Sequence, residues 1–512
     1  MSKRTSYERS ELGHPSTKRA KQIDKDLPFD NLTTLLQEQE EKKEVTKVVH
    51  WFRPKDLRIH DNTGLHHASQ LAHSSEKPLI CVYLHCPAEE SWHGTSPARM
   101  DFMIEGLKLM QEELKELNIP LVFLQAEERK DHIPTIAKFL KDNKVSHVFA
   151  NFEYEVDEIR RDIGFVKEVS SDVQVSIYHD QTVVEPGSVL TGSGKPMKVF
   201  TPYHRAWLDK VKEEPDLLDT RPAPAKNEAL VTKDLRPLFD SKPPEIAEDK
   251  QFASDEEKKR IRKIWPAGHA AGSKRMDSFI SQIDNYAATR SNPAANSTSR
   301  MSAYFSAGMV SVREALSKVR EYNDGSSDFS GDKVYSWVRE IVFRELYRQT
   351  LMTTPHTAMN LPQNLKFDFV QWEDDEEGWE KWYKGTTGEP FIDAGMRQLN
   401  AEAYMHNRLR ERYFAETLID WDLSNNTQGW EPSYTVFNPV SQAEKNDPNG
   451  DYIRKWVPEL KDVKGKAIFA PYDRLSKEEF EKLGYPKPHV DWKETKQRAI
   501  ERFKSDMRDA TP

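Results

Sequence analysis

Cysteine, long apolar runs and excess positive charge are all scarce in this chain of 512 residues. Its two cysteines, Cys81 and Cys86, form neither a disulfide framework nor a metal-ligand spacing, so a reducing compartment fits the composition best. No apolar run is long enough to cross a bilayer, and no membrane association is expected. The formal net charge of -9 argues against a protein that coats nucleic acid nonspecifically, although a local basic groove remains compatible with it.

The length predicts two domains, because a single hydrophobic core rarely organises more than about 300 residues. Over residues 45–182, short β-branched and aromatic runs alternate with amphipathic stretches, which is typical of a Rossmann-like parallel α/β domain. Strands are predicted at residues 48–52, 79–84, 120–124, 147–150 and 173–177. Apolar side chains at helical spacing predict a crossover helix at residues 100–117.

The composition changes beyond the predicted sheet. Residues 183–263 are rich in proline, lysine and acidic residues and predict an extended connector. Apolar residues three and four apart then predict an all-helical domain over residues 264–490. Its clearest helices are predicted at residues 270–289, 312–322, 334–350 and 391–414. A C-terminal tail over residues 491–512 completes the predicted organisation.

The first 44 residues are polar and basic, and a disordered tail is predicted there. Lys3-Arg4 and the basic run from Lys18 to Lys21 have the spacing of a two-part nuclear import signal. A nuclear location is therefore expected, with the mitochondrion as the weaker alternative. A secretory signal is not expected, because no apolar segment follows the basic residues.

The segment Thr298-Ser-Arg-Met-Ser302 places hydroxyl groups and an arginine before a predicted helix. Backbone N–H groups at a helix start attract anions, so the segment is suited to a pyrophosphate. The alternative is an ordinary helix cap, which serine and threonine form far more often.

A second feature is a polar and aromatic stripe on the predicted helix that follows Trp337. Glu340, Phe343, Arg344 and Tyr347 are spaced to share one helical face. Such a stripe is unlike a hydrophobic core, and its alternative is a solvated face with an internal ion pair. Arg410, at the end of another apolar helix, requires an acidic partner that Asp420 or Asp422 would supply.

The order of the remaining motifs resembles the photolyase and cryptochrome family from Val48 to Lys487. The motifs are Trp51-Phe-Arg53, Asn151-Phe-Glu-Tyr-Glu155, Lys198-Val-Phe-Thr-Pro202, Met396-Arg-Gln-Leu-Asn400 and Phe437-Asn-Pro439. Within the family, Met405-His-Asn-Arg-Leu-Arg410 resembles class I cyclobutane pyrimidine dimer photolyases. The (6-4) photolyases and animal cryptochromes generally place histidine where Asn407 stands. The resemblance therefore implies a light-dependent DNA repair lyase.

The resemblance also implies that FAD is the cofactor. The residues that would hold it are Tyr286, Thr298, Ser299, Arg300, Met301, Ser302, Arg344, Arg410, Asp420, Trp421, Asp422 and Asn426. Asn426 would sit near the flavin N5, where the aspartate of plant cryptochromes would instead protonate a flavin radical. Trp421 replaces a small residue between two flavin-contacting aspartates, and either fills space or donates electrons.

Six residues carry over to a lesion pocket. They are Arg290, Glu340, Phe343, Asn407, Arg408 and Gln442. A badly stacked dimer would flip out of the duplex into this pocket, where Glu340 would hydrogen-bond to it. Light would drive one electron from reduced FAD to the dimer and back, so no metal is required. The implied partner is damaged double-stranded DNA, bound by a monomer.

The chain departs from the family pattern chiefly between Arg410 and Glu411. Relatives insert roughly eighteen residues there, about five helical turns. That segment carries a methionine that touches the lesion and the middle aromatic of an electron-transfer chain. Trp372 and Trp430 match the outer and inner tryptophans of that chain. Phe343 also replaces a tryptophan, which leaves less stacking area for the dimer.

Three further interpretations remain open. Asp157 and Glu158 match positions that contact a folate antenna in some relatives, so a methenyltetrahydrofolate or deazaflavin antenna is expected. The alternative is that both residues are solvated acids without a ligand. A cryptochrome-like blue-light receptor is the second interpretation, against which the short C-terminus stands. An incomplete isoform that binds FAD without repair is the third, and the segment missing after Arg410 supports it.

The missing aromatic predicts slow photoreduction of the oxidised flavin. Trp372 and Trp430 would be separated by a gap in the electron-transfer chain, so blue light with a thiol donor should reduce the flavin slowly. Absorbance spectroscopy during illumination measures the rate. Rapid reduction would reveal another electron route, for which Trp421 is the first candidate.

Overall fold

The chain folds into two compact units. The computed structural model describes residues 17–40, 44–92, 94–227, 235–359, 361–370, 374–413 and 438–509. One unit, which we call the α/β unit, comprises Gln22–Asp284 and Ser299–Ala358. The other, which we call the helical unit, comprises Met1–Lys21, Asn285–Thr298 and Met359–Pro512.

A five-stranded parallel sheet forms the centre of the α/β unit. Its strands are β1 Val48–Phe52, β2 Leu79–His85, β3 Leu121–Gln125, β4 His147–Asn151 and β5 Gln174–Tyr178. They lie in the order β3-β2-β1-β4-β5, with Val48 paired to Leu79 on one side and to His147 on the other. The predicted Rossmann-like fold is confirmed, and every predicted strand lies within one residue of its observed bounds. The carboxyl ends of all five strands meet at one edge of the sheet.

Most helices of the first half belong to the α/β unit, although α1 crosses the division between units. In chain order they are α1 Thr17–Lys25, α2 Pro28–Gln37, α3 Thr63–Ser74, α4 Pro87–Trp92, α5 Pro97–Glu116, α6 His132–Asp142, α7 Val156–Val169, α8 Phe200–Glu213, α9 Asp255–Ile264 and α10 His269–Ile280. Helix α11 (Tyr286–Thr289) belongs to the helical unit. The chain then returns to the α/β unit with α12 Ser302–Ala307, α13 Val312–Tyr322 and α14 Asp332–Thr353.

The helical unit contains the later helices. They are α15 Glu376–Lys384, α16 Pro390–Glu402, α17 Asn407–Tyr413, α18 Pro439–Asn446, α19 Asp451–Trp456, α20 Pro471–Arg474, α21 Lys477–Leu483 and α22 Trp492–Asp509. Its core gathers Phe391, Met405, Leu409 and Tyr452, all buried. The helix predicted at residues 391–414 is two helices, because Ala403 takes a left-handed φ of 50° and ends α16. In the part of the chain that the structure describes, no helix is both long and apolar enough to cross a membrane.

The predicted disorder of residues 1–44 is wrong over α1 and α2. Helix α2 packs on α7, and the ring of Phe29 lies 5.3 Å from that of Phe152. The side chain of Gln39 donates to the carbonyl of Val175 and accepts from its N–H, each at 2.9 Å. The segment thus covers the edge strand β5, and these contacts outweigh its polar composition. The predicted connector likewise contains α8 and α9, and the predicted C-terminal tail forms α22.

Glu345 joins α14 to α8 and to the segment after β5. Its fully buried carboxylate accepts hydrogen bonds from the N–H of Val183 at 2.6 Å, the N–H of Val184 at 3.3 Å and Trp207 Nε1 at 2.6 Å. Burial raises the pKa of Glu345 to about 7 although these donors oppose the shift. Because α10 and α12–α14 remain with the sheet, the predicted domain boundary at residue 264 does not coincide with the division between units.

A network of buried charges joins the loops after β1 and β5 to the start of α13. The guanidinium of Arg58 donates to the carboxylate of Asp180, and Arg313 Nη1 donates to Asp61 Oδ1 at 2.8 Å. Asp180 also accepts from the N–H and hydroxyl of Thr63 at 2.9 and 2.8 Å. Burial opposes ionisation of Asp180, but Arg58 and Arg313 hold the pKa of its carboxyl below its ordinary value. The network is therefore charged on both sides although it is buried.

Removal of one charge from this network should destabilise the α/β unit. Asp180→Asn leaves Arg58 and Arg313 partly uncompensated in a buried site, so the free energy of unfolding should fall by about 3–5 kcal/mol. Urea-induced unfolding measures the change. Asp209→Asn, on the exposed side of α8, is the matched control and should change stability by less than about 0.5 kcal/mol. Equal stability of the two variants would contradict the assignment.

Candidate functional site

One face of α14 combines an acid, an aromatic ring and a cation. Glu340 and Phe343 are both half-buried. The ring of Phe343 stacks on that of Phe200, with centroids 3.3 Å apart and planes 4° apart. The guanidinium of Arg339 lies 5.4 Å and 5.6 Å from the two ring centroids. We call Phe343 and Phe200 the aromatic platform, since stacked aromatic rings are the type of group on which a planar ligand packs.

Arg344 lies beside the short helix that the motif at residues 298–302 begins. It donates to the carbonyl oxygens of Gln181 at 2.5 Å and Phe305 at 3.4 Å. Phe305 belongs to α12, whose first residue is Ser302. Two residues before Ser302, Arg300 takes a left-handed φ of 51°. The structure therefore places Arg344 against the helix that Ser302 begins, within the α/β unit. Because α12 has six residues, its dipole is weaker than that of a longer helix.

Backbone contacts fix the position of α12. The N–H of Leu57 donates to the carbonyl of Ala307 at 3.1 Å, and Arg58 Nη1 donates to that of Gly308 at 2.9 Å. Gly308 has a φ of 66°, and a Cβ there would overlap the carbonyl oxygen of Lys55. Glycine is thus required where α12 ends against the loop after β1.

In the helical unit, residues 286–298 lie beside residues 404–410. The hydroxyls of Thr298 and Tyr404 are hydrogen-bonded at 2.9 Å, and Arg408 Nε donates to Ser291 Oγ at 3.3 Å. The guanidinium of Arg290 lies 5.5 Å from the ring centroid of Tyr286. Two segments that the sequence assigned to the cofactor and the lesion therefore meet.

Several buried polar atoms in this unit have no hydrogen-bond partner among the described residues. They include Ser297 Oγ, Asn407 Oδ1, Arg410 Nε and Gln442 Oε1. Buried polar atoms in native proteins are normally paired, so such a group is expected where a ligand completes the hydrogen bonding. Asn407, Arg410 and Gln442 were all predicted to contact FAD or the lesion, and these atoms fit that prediction.

The other predicted site residues fall into two sets. Trp372, Asp420, Trp421, Asp422, Asn426 and Trp430 lie outside the described residues. Of the antenna candidates, Asp157 is exposed and pairs with Arg160 at 3.4 Å, whereas Glu158 is half-buried. Burial, with the neighbouring Glu153 and Glu155, raises the pKa of Glu158 to about 7.

The structure adds residues that the sequence did not assign. Phe200 lies in the motif Lys198-Val-Phe-Thr-Pro202, which was used for the resemblance without a role for its ring. Arg339 stands four residues before Phe343, a spacing that places both on one helical face. No spacing links Phe200 or Tyr404 to its partner, because each contact joins segments that are distant along the chain.

Family profiles match both parts of the chain. The profile described as DNA photolyase matches residues 48–225, and that described as the FAD binding domain of DNA photolyase matches residues 337–413 and 410–505. The second match is in two pieces that meet at residues 410–413, next to the site of the predicted missing segment.

Relatives match most of the chain. A deoxyribodipyrimidine photo-lyase of Neurospora crassa is 37% identical over 501 residues, which cover 89% of this chain and 81% of that protein. The enzyme of the same name from Salmonella typhimurium is 33% identical over 476 residues, covering 87% of this chain and 96% of that protein. The crystal structure of a class III photolyase from Agrobacterium tumefaciens superposes with a TM-score of 0.74 at 25% identity, covering 91% and 99% of the two chains.

Substitution of Arg344 should weaken FAD binding, whereas substitution of Arg339 on the same helix should not. Arg344→Ala removes a cation that is hydrogen-bonded to α12, and loss of a charge-assisted contact to an FAD phosphate should weaken FAD binding about tenfold or more. The flavin-to-protein absorbance ratio after gel filtration measures occupancy. Arg339→Ala, on the same helix but over the aromatic platform, is the matched control and should keep its FAD. Equal flavin content in the two variants would remove Arg344 from the cofactor site.

Proposed function

The chain belongs to the DNA photolyase family, and from this premise we propose that it is a light-dependent lyase that splits cyclobutane pyrimidine dimers in DNA. The observation that carries the proposal is the aromatic platform, which Phe343 of α14 and Phe200 of α8 form together. The face of Phe343 is half-buried on Phe200, with Glu340 one helical turn away. A flipped pyrimidine pair requires a stacking surface and hydrogen bonds to its polar edge, and this face supplies both types of group.

The roles of the lesion residues follow from their chemistry. Phe343 stacks on the dimer, backed by Phe200, so the pair offsets part of the area lost with the tryptophan of relatives. Glu340 accepts a hydrogen bond from the dimer, as do Asn407 Oδ1 and Gln442 Oε1, which lack partners among the described residues. Arg290 and Arg408 contact the phosphates that flank the flipped pair.

FAD, when bound in its reduced form, supplies the light-excited electron that opens the cyclobutane ring. The chain carries the family's FAD-binding domain. The residues proposed to hold the cofactor are Tyr286, Thr298 to Ser302, Arg344, Arg410, Asp420, Trp421, Asp422 and Asn426. Arg344 and Arg410 balance the pyrophosphate charge, and the hydroxyls of Thr298, Ser299 and Ser302 donate to its oxygens.

The proposal extends to partner, location and antenna. The substrate is double-stranded DNA that contains pyrimidine dimers. The protein binds this DNA as a monomer and is located in the nucleus. The basic residues near the N-terminus support import, and a mitochondrial pool is the alternative. A folate or deazaflavin antenna would contact Asp157 and Glu158. The half-buried Glu158 suits that role better than the exposed Asp157.

A second candidate function is FAD binding without repair, in an incomplete isoform or in a blue-light receptor. The interrupted family match at residues 410–413 favours it, because the missing segment carries a lesion contact in relatives. The two functions differ in a single observable, which is loss of dimers from DNA under blue light when the bound flavin is already reduced.

The role of Glu340 gives a specific test. Glu340→Ala should retain FAD but lower the rate of dimer removal about tenfold or more, because a hydrogen bond to the lesion is lost. The assay follows repair of a thymine dimer in an oligonucleotide, with chemically reduced flavin. Glu321→Ala, an exposed acid on α13, should repair at the wild-type rate. Repair by Glu340→Ala at that same rate would exclude the proposed contact.

A further inference from the structure

A second group of reactive side chains lies at the carboxyl edge of the sheet. Cys86 directly follows β2, Glu89 lies in the first turn of α4, and His132 begins α6 after β3. Strands β2 and β3 are parallel neighbours, so their ends bring these residues together although 46 positions separate Cys86 from His132. One donor atom from each residue lies within 4.8 Å of the other two.

The hydrogen bonding of this group is incomplete. His132 is 3% exposed, and neither of its ring nitrogens has a hydrogen-bond partner among the described residues. Its Nε2 lies 3.7 Å from Glu89 Oε2, which is too far for a hydrogen bond. Cys86 is 5% exposed, and its thiol has a weak contact with the carbonyl oxygen of Glu127 at 3.9 Å. The imidazole, the thiol and the carboxylate thus face one another. Each of them is a group that can donate an electron pair to a metal ion.

The surrounding charges orient Glu89 without occupying both of its oxygens. Arg129 donates to Glu89 Oε1, while Oε2 is the oxygen that faces His132. Arg129 also lies 3.9 Å from Glu158, so its own charge is shared between two carboxylates. A carboxylate held by an outer hydrogen bond is the usual arrangement around protein metal ligands. The side chain of Glu89 is 27% exposed, which gives an ion access from solvent.

We propose that Cys86, Glu89 and His132 form a zinc site that fastens the carboxyl ends of β2 and β3 to each other. Thiolate, imidazole and carboxylate are the ligand types that zinc accepts together, and three protein ligands leave a fourth position for water. On binding, the thiol loses its proton to solvent and a zinc–sulfur bond of about 2.3 Å forms. Because the three donor atoms already lie within 4.8 Å of one another, small side-chain movements bring them to the separations of a tetrahedral site.

Cobalt(II) tests the site, because a cobalt–thiolate bond produces a charge-transfer band in the near ultraviolet. The chain has only two cysteines, so the band can come only from Cys86 or Cys81. The untagged, full-length, FAD-containing protein is first stripped of metal and then titrated with cobalt(II). We expect a thiolate band that saturates at one equivalent and disappears when zinc is added. Absence of the band in the wild-type protein would overturn the proposal.

Two variants assign the ligand. Cys86→Ala should lose the band, whereas Cys81→Ala, which changes the other buried cysteine within β2, should keep it. Flavin content and far-ultraviolet circular dichroism verify that both variants are folded. Glu89→Gln provides a test at a more exposed ligand and should weaken cobalt binding about tenfold or more. A band that persists in Cys86→Ala, or that Cys81→Ala abolishes, would contradict the assignment.

Discussion

Four buried charges, Arg58, Asp61, Asp180 and Arg313, determine where the rest of the α/β unit can lie. Removal of such charges from water costs several kcal/mol for each ion, and only complete pairing offsets that cost. The pairs join the loop after β1, the loop after β5 and the start of α13. The start of α13 is thus fixed by electrostatics rather than by apolar packing alone.

The proposed site depends on this constraint. Helix α14 follows α13, and Glu345 fastens it to Val183, Val184 and Trp207. On the same helix, Glu340, Phe343 and Arg344 therefore project from a fixed backbone, as a site that binds a flipped base requires. The loop after β1 supplies a second attachment, since it holds α12 through Ala307 and Gly308. The residues that stabilise the α/β unit, such as Arg58 and Glu345, consequently also fix the positions of α12 and α14.

The sequence predicted the sheet well, because buried parallel strands are short β-branched runs with clear limits. The resemblance, rather than any spacing, assigned Thr298 to the cofactor and Arg408 to the lesion, and the two segments that carry them lie side by side in the helical unit. Prediction from the sequence failed at the N-terminus, where the polar residues of α2 hide an apolar face that packs on α7. It also missed Phe200 and His132, because their contacts join segments that are distant along the chain and leave no local pattern. The predicted boundary at residue 264 differs from the division between units, because the buried contacts of Glu345 that hold α14 with the sheet leave no periodic signal in the sequence.

The central claim is that this chain splits pyrimidine dimers although the family's FAD-binding-domain profile matches it in two pieces that meet at residues 410–413. The most direct measurement is blue-light-dependent loss of a thymine dimer from an oligonucleotide, with the absorbance of chemically reduced flavin recorded in the same tube. Prior reduction makes the result independent of Trp372 and Trp430. The account predicts dimer loss in the light, none in the dark, and flavin that remains bound throughout. Bound, reduced flavin with no dimer loss in the light would contradict it.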